Sequence, residues 1–254
     1  MPADKSVMFC ATQRTGSTLI VDDFRNVVGS SSGANELLYE TIIRGNTELP
    51  WSQVWDKVKA RNLVHGYFID KVMFHYTPML SAFMERNSIE GVNRCLKFNP
   101  PLFDKFYNFF AQAIWVYVDR RDVFAQAVSM YLAEATQLWA KPVGRSRAAA
   151  AAPAIGYDYS KLQQYLKGFL TEREQWQIFF RHYNIHPIRI SYEDAATGYP
   201  QYLAELLEKT DLKMVETPRP RRLAKVGGEL NERFTEFLRN DVIAELYARS
   251  HAGA

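Results

Sequence analysis

A chain of 254 residues can bury one large core or at most two small ones. Its hydrophobic fraction of 47% and aromatic fraction of 14% are those of a globular protein and exclude a disordered one. The formal net charge of +3, from scattered basic residues, excludes a nucleic-acid surface but is compatible with a local pocket for a multiply charged anion.

In chain order, the N-terminal residues 1–5 lack the basic and apolar regions of a signal peptide, and no apolar run approaches the ~20 residues that span a bilayer. With Cys10 and Cys95 the only cysteines, no disulfide framework is implied, and a cytoplasmic, reducing location without a transmembrane segment is expected. Val7, Met8 and Phe9 predict a short buried strand, in which Cys10 is a buried, inert thiol. Gln13, Arg14, Thr15, Gly16, Ser17 and Thr18 form a small polar turn, and Leu19, Ile20, Phe24 and Val27 follow with helical spacing. A strand, a polar turn and a helix N-terminus together bind phosphate-like anions. The first helical amides have no partner within the helix, the dipole is positive there, and a glycine lets the backbone approach an oxyanion. An ordinary capped turn is the bland alternative, but six successive residues so dense in anion donors weigh against it. The nucleotide-triphosphatase loop does not fit, since position 11 is Ala and Gly16 is followed by Ser17 rather than Lys.

Residues 29–33 break regularity, and Glu36 then opens the apolar run of Leu37 and Leu38. Glu36 reads either as a carboxylate favoured by a helix dipole or as a general base, with Glu40 its competitor. Residues 51–61 predict a helix, residues 67–74 a strand, and Thr77-Pro78 the start of the next helix. Lys71 stands inside that otherwise apolar strand. It requires an anionic partner if buried, or it is an exposed edge lysine. The clearest strand, residues 113–118, is continuously apolar, as in the centre of a parallel sheet. Arg120 and Arg121 follow it at once, where ligands bind in such sheets, and the next helix contains Ser129.

Residues 140–156 are rich in alanine and carry Pro142, Gly144 and Pro153, and predict a mobile surface loop or lid, with a continued helix as the alternative. A long amphipathic helix over 159–183 turns Leu162, Tyr165, Leu166, Phe169, Leu170 and Trp176 to one side. A strand over 187–193 and a helix over 199–207 come next. The basic segment 218–228, with Lys225 and Gly227, reads as a solvated loop or a flap over a phosphate, before a last helix near Asn231. No metal-ligand spacing and no nucleophile elbow is present, and His75 is the one histidine placed for chemistry.

Four of these stretches, in this order, resemble the sulfotransferases that use 3′-phosphoadenosine 5′-phosphosulfate (PAPS). The likeness is to the bacterial branch that includes trehalose 2-sulfotransferase and the sulfotransferases of nodulation factors and lipopolysaccharide. Gln13, Arg14, Thr15, Gly16, Ser17 and Thr18 are similar to its 5′-phosphosulfate loop, and Glu36 with Leu37 and Leu38 to its catalytic glutamate segment. Lys71-Val72-Met73-Phe74 with Thr77-Pro78 matches a third motif. Arg120, Arg121 and Ser129 match the site that grips the 3′-phosphate, although Arg121 stands where the branch often has Pro.

The resemblance implies a single α/β domain over 1–254, a central mostly parallel sheet flanked by helices, with the P-loop-like sulfotransferase fold. It implies PAPS as sulfate donor without a metal, a carbohydrate, glycolipid or other small hydroxyl-bearing acceptor, and a homodimer. Glu36, Arg14 and Lys71 are the catalytic residues expected. Gln13, Arg14, Thr15, Gly16, Ser17, Thr18, Arg120, Arg121, Ser129, Lys225 and Gly227 would bind the nucleotide. Trp139, Tyr131 and Phe74 are candidates to stack on a sugar or to fill the core. Two other classes stand beside this reading: a small-molecule kinase with an altered phosphate loop, and a non-catalytic nucleotide-binding module.

Overall fold

The computed structural model describes residues 5–30, 36–139, 141–142, 155–221, 223–224 and 228–252. Along the chain run β1 (Ser6–Ala11), α1 (Ser17–Val27), a π-helix (Tyr39–Arg44), α2 (Trp51–Asn62), β2 (Leu63–Val64), β3 (Tyr67–Met73) and α3 (Thr77–Arg86). Then come α4 (Asp104–Phe109), β4 (Ile114–Asp119), α5 (Val123–Thr136), β5 (Lys141–Pro142), α6 (Tyr159–His182) and β6 (Ile188–Ser191). The chain ends with α7 (Tyr192–Thr197), α8 (Ala204–Thr210), β7 (Leu223–Ala224) and α9 (Glu229–Ala252).

Two compact units divide the chain. The first comprises Met1–Arg121 and Thr171–Arg219, and the second Asp122–Leu170 and Pro220–Ala254. In the first, β1 is apolar on both faces because it lies at the centre of a five-stranded sheet of order β2-β3-β1-β4-β6. All its pairings are parallel except the short hairpin of β2 with β3. That hairpin, absent from the sequence expectation, turns at His65 and Gly66, both with positive φ (47° and 86°), the conformation a two-residue hairpin loop requires. The register aligns the carboxyl ends: Ala11 faces Met73 on one side and Val118 on the other, and Val118 faces Ile190. The segments that follow these ends therefore emerge along one edge of the sheet.

Phe74 is fully buried against Phe103 and Trp176, with ring centroids 5.0 and 5.4 Å away, so it belongs to the core and stacks on no sugar. The strand read over 187–193 stops at Ser191, because the Ser191 hydroxyl accepts the Asp194 amide at 3.1 Å and caps α7. Helix thus begins at Tyr192, and the expected helix over 199–207 is replaced by a 3₁₀ turn (Gln201–Leu203) and α8.

The second unit packs Ala127 and Val128 of α5, Leu162, Leu166 and Phe169 of α6, and Phe234 and Leu238 of α9 into its own core. Leu170, expected on the buried side of α6, is 48% exposed. Polar tethers border this core: the Tyr157 hydroxyl donates to Asp241 at 2.6 Å, and Tyr165 donates to Glu134. Of the segment 140–156, Lys141 and Pro142 pair antiparallel with Ala224 and Leu223, Ile155 and Gly156 are also described, and the rest lies outside the described residues. No helix among the described residues is long and apolar enough to cross a membrane.

Candidate active site

Leaving β1, the chain passes Thr12 and turns sharply through Arg14 and Gly16, both in the left-handed region (φ 64° and 76°). Gly16 is the N-cap of α1. No side chain caps that end, which leaves the first amides of α1 facing outward from the helix. Thr15 turns inward, its hydroxyl donating to the Thr12 carbonyl at 2.9 Å, and so fixes the turn rather than offering a donor to a ligand. A Cβ on Gly16 would lie 2.5 Å from Cδ2 of Tyr192, so the glycine is required by close approach as well as by φ.

Lys71 resolves the alternative left open by the sequence. It is buried, and its ammonium donates to Thr18 Oγ1 at 2.9 Å and pairs with Glu36 Oε1 at 2.9 Å. The Lys71 side chain is 5% exposed and that of Glu36 24%. One cation therefore joins the phosphate-type turn, through α1, to a carboxylate 35 residues upstream in sequence. A lysine ammonium has three protons, and these two contacts leave one N–H for a ligand. Glu40, the competing base, is exposed on the π-helix.

Asp70, adjacent to Lys71, was not singled out from sequence. Its two carboxylate oxygens accept the amides of Leu37 and Leu38, each at 2.9 Å. Complete burial pushes this carboxyl up to about 7, against the opposing pull of those amides and of the Arg25 charge. A buried carboxyl with these ties holds Leu37 and Leu38 in place beside β3.

At the end of β4 the two arginines diverge. Arg121 is 62% exposed and is spent on α7, with its guanidinium 2.9 Å from Asp194 and its amide donating to Glu193 at 3.0 Å. Arg120 turns to the loop after β1, donating to the Arg14 carbonyl at 3.3 Å, and lies over the Tyr192 ring at 4.8 Å. Asp119 and Arg173 brace it: Arg173 donates to Asp119 Oδ2 at 2.8 Å, and Asp119 Oδ1 accepts the Arg120 amide at 2.8 Å. Burial, and next the neighbouring Arg120 charge, hold the Arg14 guanidinium below its usual pKa, while Tyr192 acts the other way. The Arg120 charge thus disfavours a second charge at Arg14.

Arg14, Thr18, Glu36, Lys71 and Arg120 thus gather at one sheet edge, with Tyr192 and Asp70 as supports. Gln13 is half-buried on the same turn, and Ser17 is buried in the first turn of α1. Ser129 stands half-buried on α5 of the second unit. Lys225 and Gly227 lie outside the described residues. Tyr192 carries a weak signal in the sequence, an aromatic directly after a strand. Asp70 carried one that went unread: a second ionisable residue beside Lys71 in a buried strand. Cys10 is fully buried and its thiol pushed well up by that burial, in keeping with an inert role. Among the described residues no cluster of His, Cys, Asp or Glu could hold a metal ion. A cavity of about 300 Å³ lined by Tyr107, Tyr183, His186 and Lys209 opens near Ile114 and Ile188, at the amino ends of β4 and β6 and away from these residues.

Comparison with known proteins adds a family. The model described as Stf0 sulphotransferase matches residues 6–241. Among solved structures, the sulfotransferase domain from the curacin biosynthetic pathway is similar at a TM-score of 0.45 and 13% identity, over 91% of this chain and 82% of that one. No curated protein matches.

Proposed function

The chain belongs to the Stf0 sulphotransferase family and is a sulfotransferase enzyme, and we propose that it moves a sulfuryl group from PAPS to a carbohydrate or glycolipid hydroxyl. The observation that carries this reading is the position of Lys71 between Thr18 and Glu36, 2.9 Å from each. In-line displacement at sulfur needs a cation at the bridging oxygen of the leaving phosphate and a base on the attacking hydroxyl, and this pairing supplies both.

In the proposed reaction the acceptor oxygen attacks sulfur and its proton passes to the Glu36 carboxylate. The bond from sulfur to the bridging oxygen breaks, and the electron pair leaves on the 5′-phosphate of adenosine 3′,5′-bisphosphate. The remaining N–H of Lys71, the Arg14 guanidinium and the outward amides of α1 take up the developing charge. Arg120, braced by Asp119 and Arg173, is assigned to the 3′-phosphate, because Arg121 is already committed to α7. The absence of a Gly-Lys pair in the turn, and the pairing of Lys71 with a carboxylate, disfavour the kinase reading. A homodimer, from the resemblance, and a cytoplasmic location, from two cysteines that imply no disulfide framework, complete the proposal.

The test uses labelled PAPS with a panel of sugars and glycolipids. Glu36→Gln is expected to lower turnover by roughly 10²–10⁴ while leaving calorimetric affinity for adenosine 3′,5′-bisphosphate within about twofold. Turnover close to wild type would remove Glu36 as the base. Tight bisphosphate binding by the wild type with no transfer to any panel member would favour a non-catalytic binding module.

A further inference from the structure

Two consecutive residues of β3 grip the segment that carries Glu36. Lys71 holds the Glu36 carboxylate, and Asp70 holds the two amides that follow it, Leu37 and Leu38. Leu37 and Leu38 are themselves buried, so the segment is held by packing below and by hydrogen bonds along the strand. We propose that Asp70 is a positioning residue, which sets the orientation of Glu36 against Lys71 by accepting the Leu37 and Leu38 amides with its two oxygens. The inference rests on the reading of Glu36 as the base.

The geometry favours this role over that of a generic buried carboxylate. Both oxygens serve amides of one short segment, at equal distances, which fixes that segment in rotation as well as in position. The charge is balanced from α1, where buried Arg25 acts on it electrostatically and itself donates to the Ile69 carbonyl at 2.9 Å. The strand's own Lys71 amide adds a hydrogen bond. A carboxylate kept in a fully buried place, against its desolvation cost, is supported only where its partners are fixed.

Asp70→Asn preserves shape but leaves one amide facing an NH₂ group. Because the buried charge is disfavoured where it stands, the neutral isostere is expected to fold, which thermal melting checks. Turnover with labelled PAPS and the sugar panel should fall about 10- to 100-fold, and affinity for adenosine 3′,5′-bisphosphate should stay within about twofold. In a Glu36→Gln background the same change should cost less than about twofold, since the group it positions has gone. An equal loss in both backgrounds, or a parallel loss of bisphosphate affinity, would reduce Asp70 to a support of the fold and overturn the proposal. An active Asp70→Asn beside an inactive Glu36→Gln would sink the positioning role alone, whereas an active Glu36→Gln would sink the base assignment itself. Should the Asn variant unfold, Asp70→Ser, whose hydroxyl serves one amide, is judged by the same two backgrounds and the same outcomes.

Discussion

Two ion pairs lie on the same sheet edge of the first unit and differ in almost everything but their chemistry. Lys71 and Glu36 meet with side chains 5% and 24% exposed, whereas Arg121 meets Asp194 with side chains 62% and 51% exposed. An exposed pair of the second kind contributes only ~0–1 kcal/mol, because water competes for both partners. The buried lysine has given up most of its hydration, so the first pair is retained at a cost that stability alone does not repay. Burial thus separates the charge proposed for chemistry from the charge that ties a loop to a helix. The same contrast divides Arg120 from Arg121, neighbours in sequence with opposite assignments.

The largest expected effect falls on the buried pair. Lys71→Met should lower turnover by about 10²–10³ and cost on the order of 3 kcal/mol of stability, since Glu36 is left largely desolvated without its partner. Chemical denaturation and transfer assays measure the two, and a loss under threefold in turnover would return Lys71 to a structural role. Next comes the arginine comparison. Arg120→Ala should weaken adenosine 3′,5′-bisphosphate binding by roughly 10- to 100-fold, as expected for one hydrogen-bonded charge on a phosphate, while Arg121→Ala should change it less than about twofold. Equal effects in calorimetry would erase the distinction.

Gly16→Ala tests the turn that both cations serve. The φ of 76° and the 2.5 Å approach to Tyr192 predict a loss of about 1–3 kcal/mol, read by melting, with weaker donor binding. Last comes a slope with pH. The Asp70 carboxyl is raised in the fold from 3.8 to about 7, so the native state holds a proton that the unfolded chain has released over that window. Its contribution to stability is therefore fully present below pH 3.8 and is lost as pH rises toward 7. Asp70→Asn should flatten stability against pH across this range.

Much of the fold was legible because periodicity reports burial directly. Residues 113–118 are a continuous apolar run and residues 67–74 a mainly apolar one interrupted by Asp70 and Lys71, and the structure places strands there within a residue at each end. The phosphate-type turn was legible for a different reason: its donors are contiguous in sequence, so no tertiary information was needed. What escaped the sequence depends on contact across long separations. That Lys71 is buried and not an edge lysine follows from its pairing with Phe9 of β1 and from Glu36 and Thr18, which close over its ammonium. The proposed choice of Arg120 over Arg121 rests on Glu193 and Asp194 of α7, more than 70 residues away, which take Arg121. The boundary at Ser191 was missed because a hydroxyl cap outcompeted a strand-like run.

The strand order has a consequence for how the protein comes into being. β1 is made first, yet its neighbours β3 and β4 follow only after residues 67 and 114, and β6 after residue 188. Tyr192, which closes against Gly16, comes later still. During synthesis the turn over residues 13–18 therefore emerges early and waits for most of the chain before the residue that backs it exists. Such non-local parallel pairing folds slowly, and a nascent chain that stops short of β6 presents the bare edge of β4 to its neighbours. The residue that backs the turn is thereby made only after every strand of its sheet.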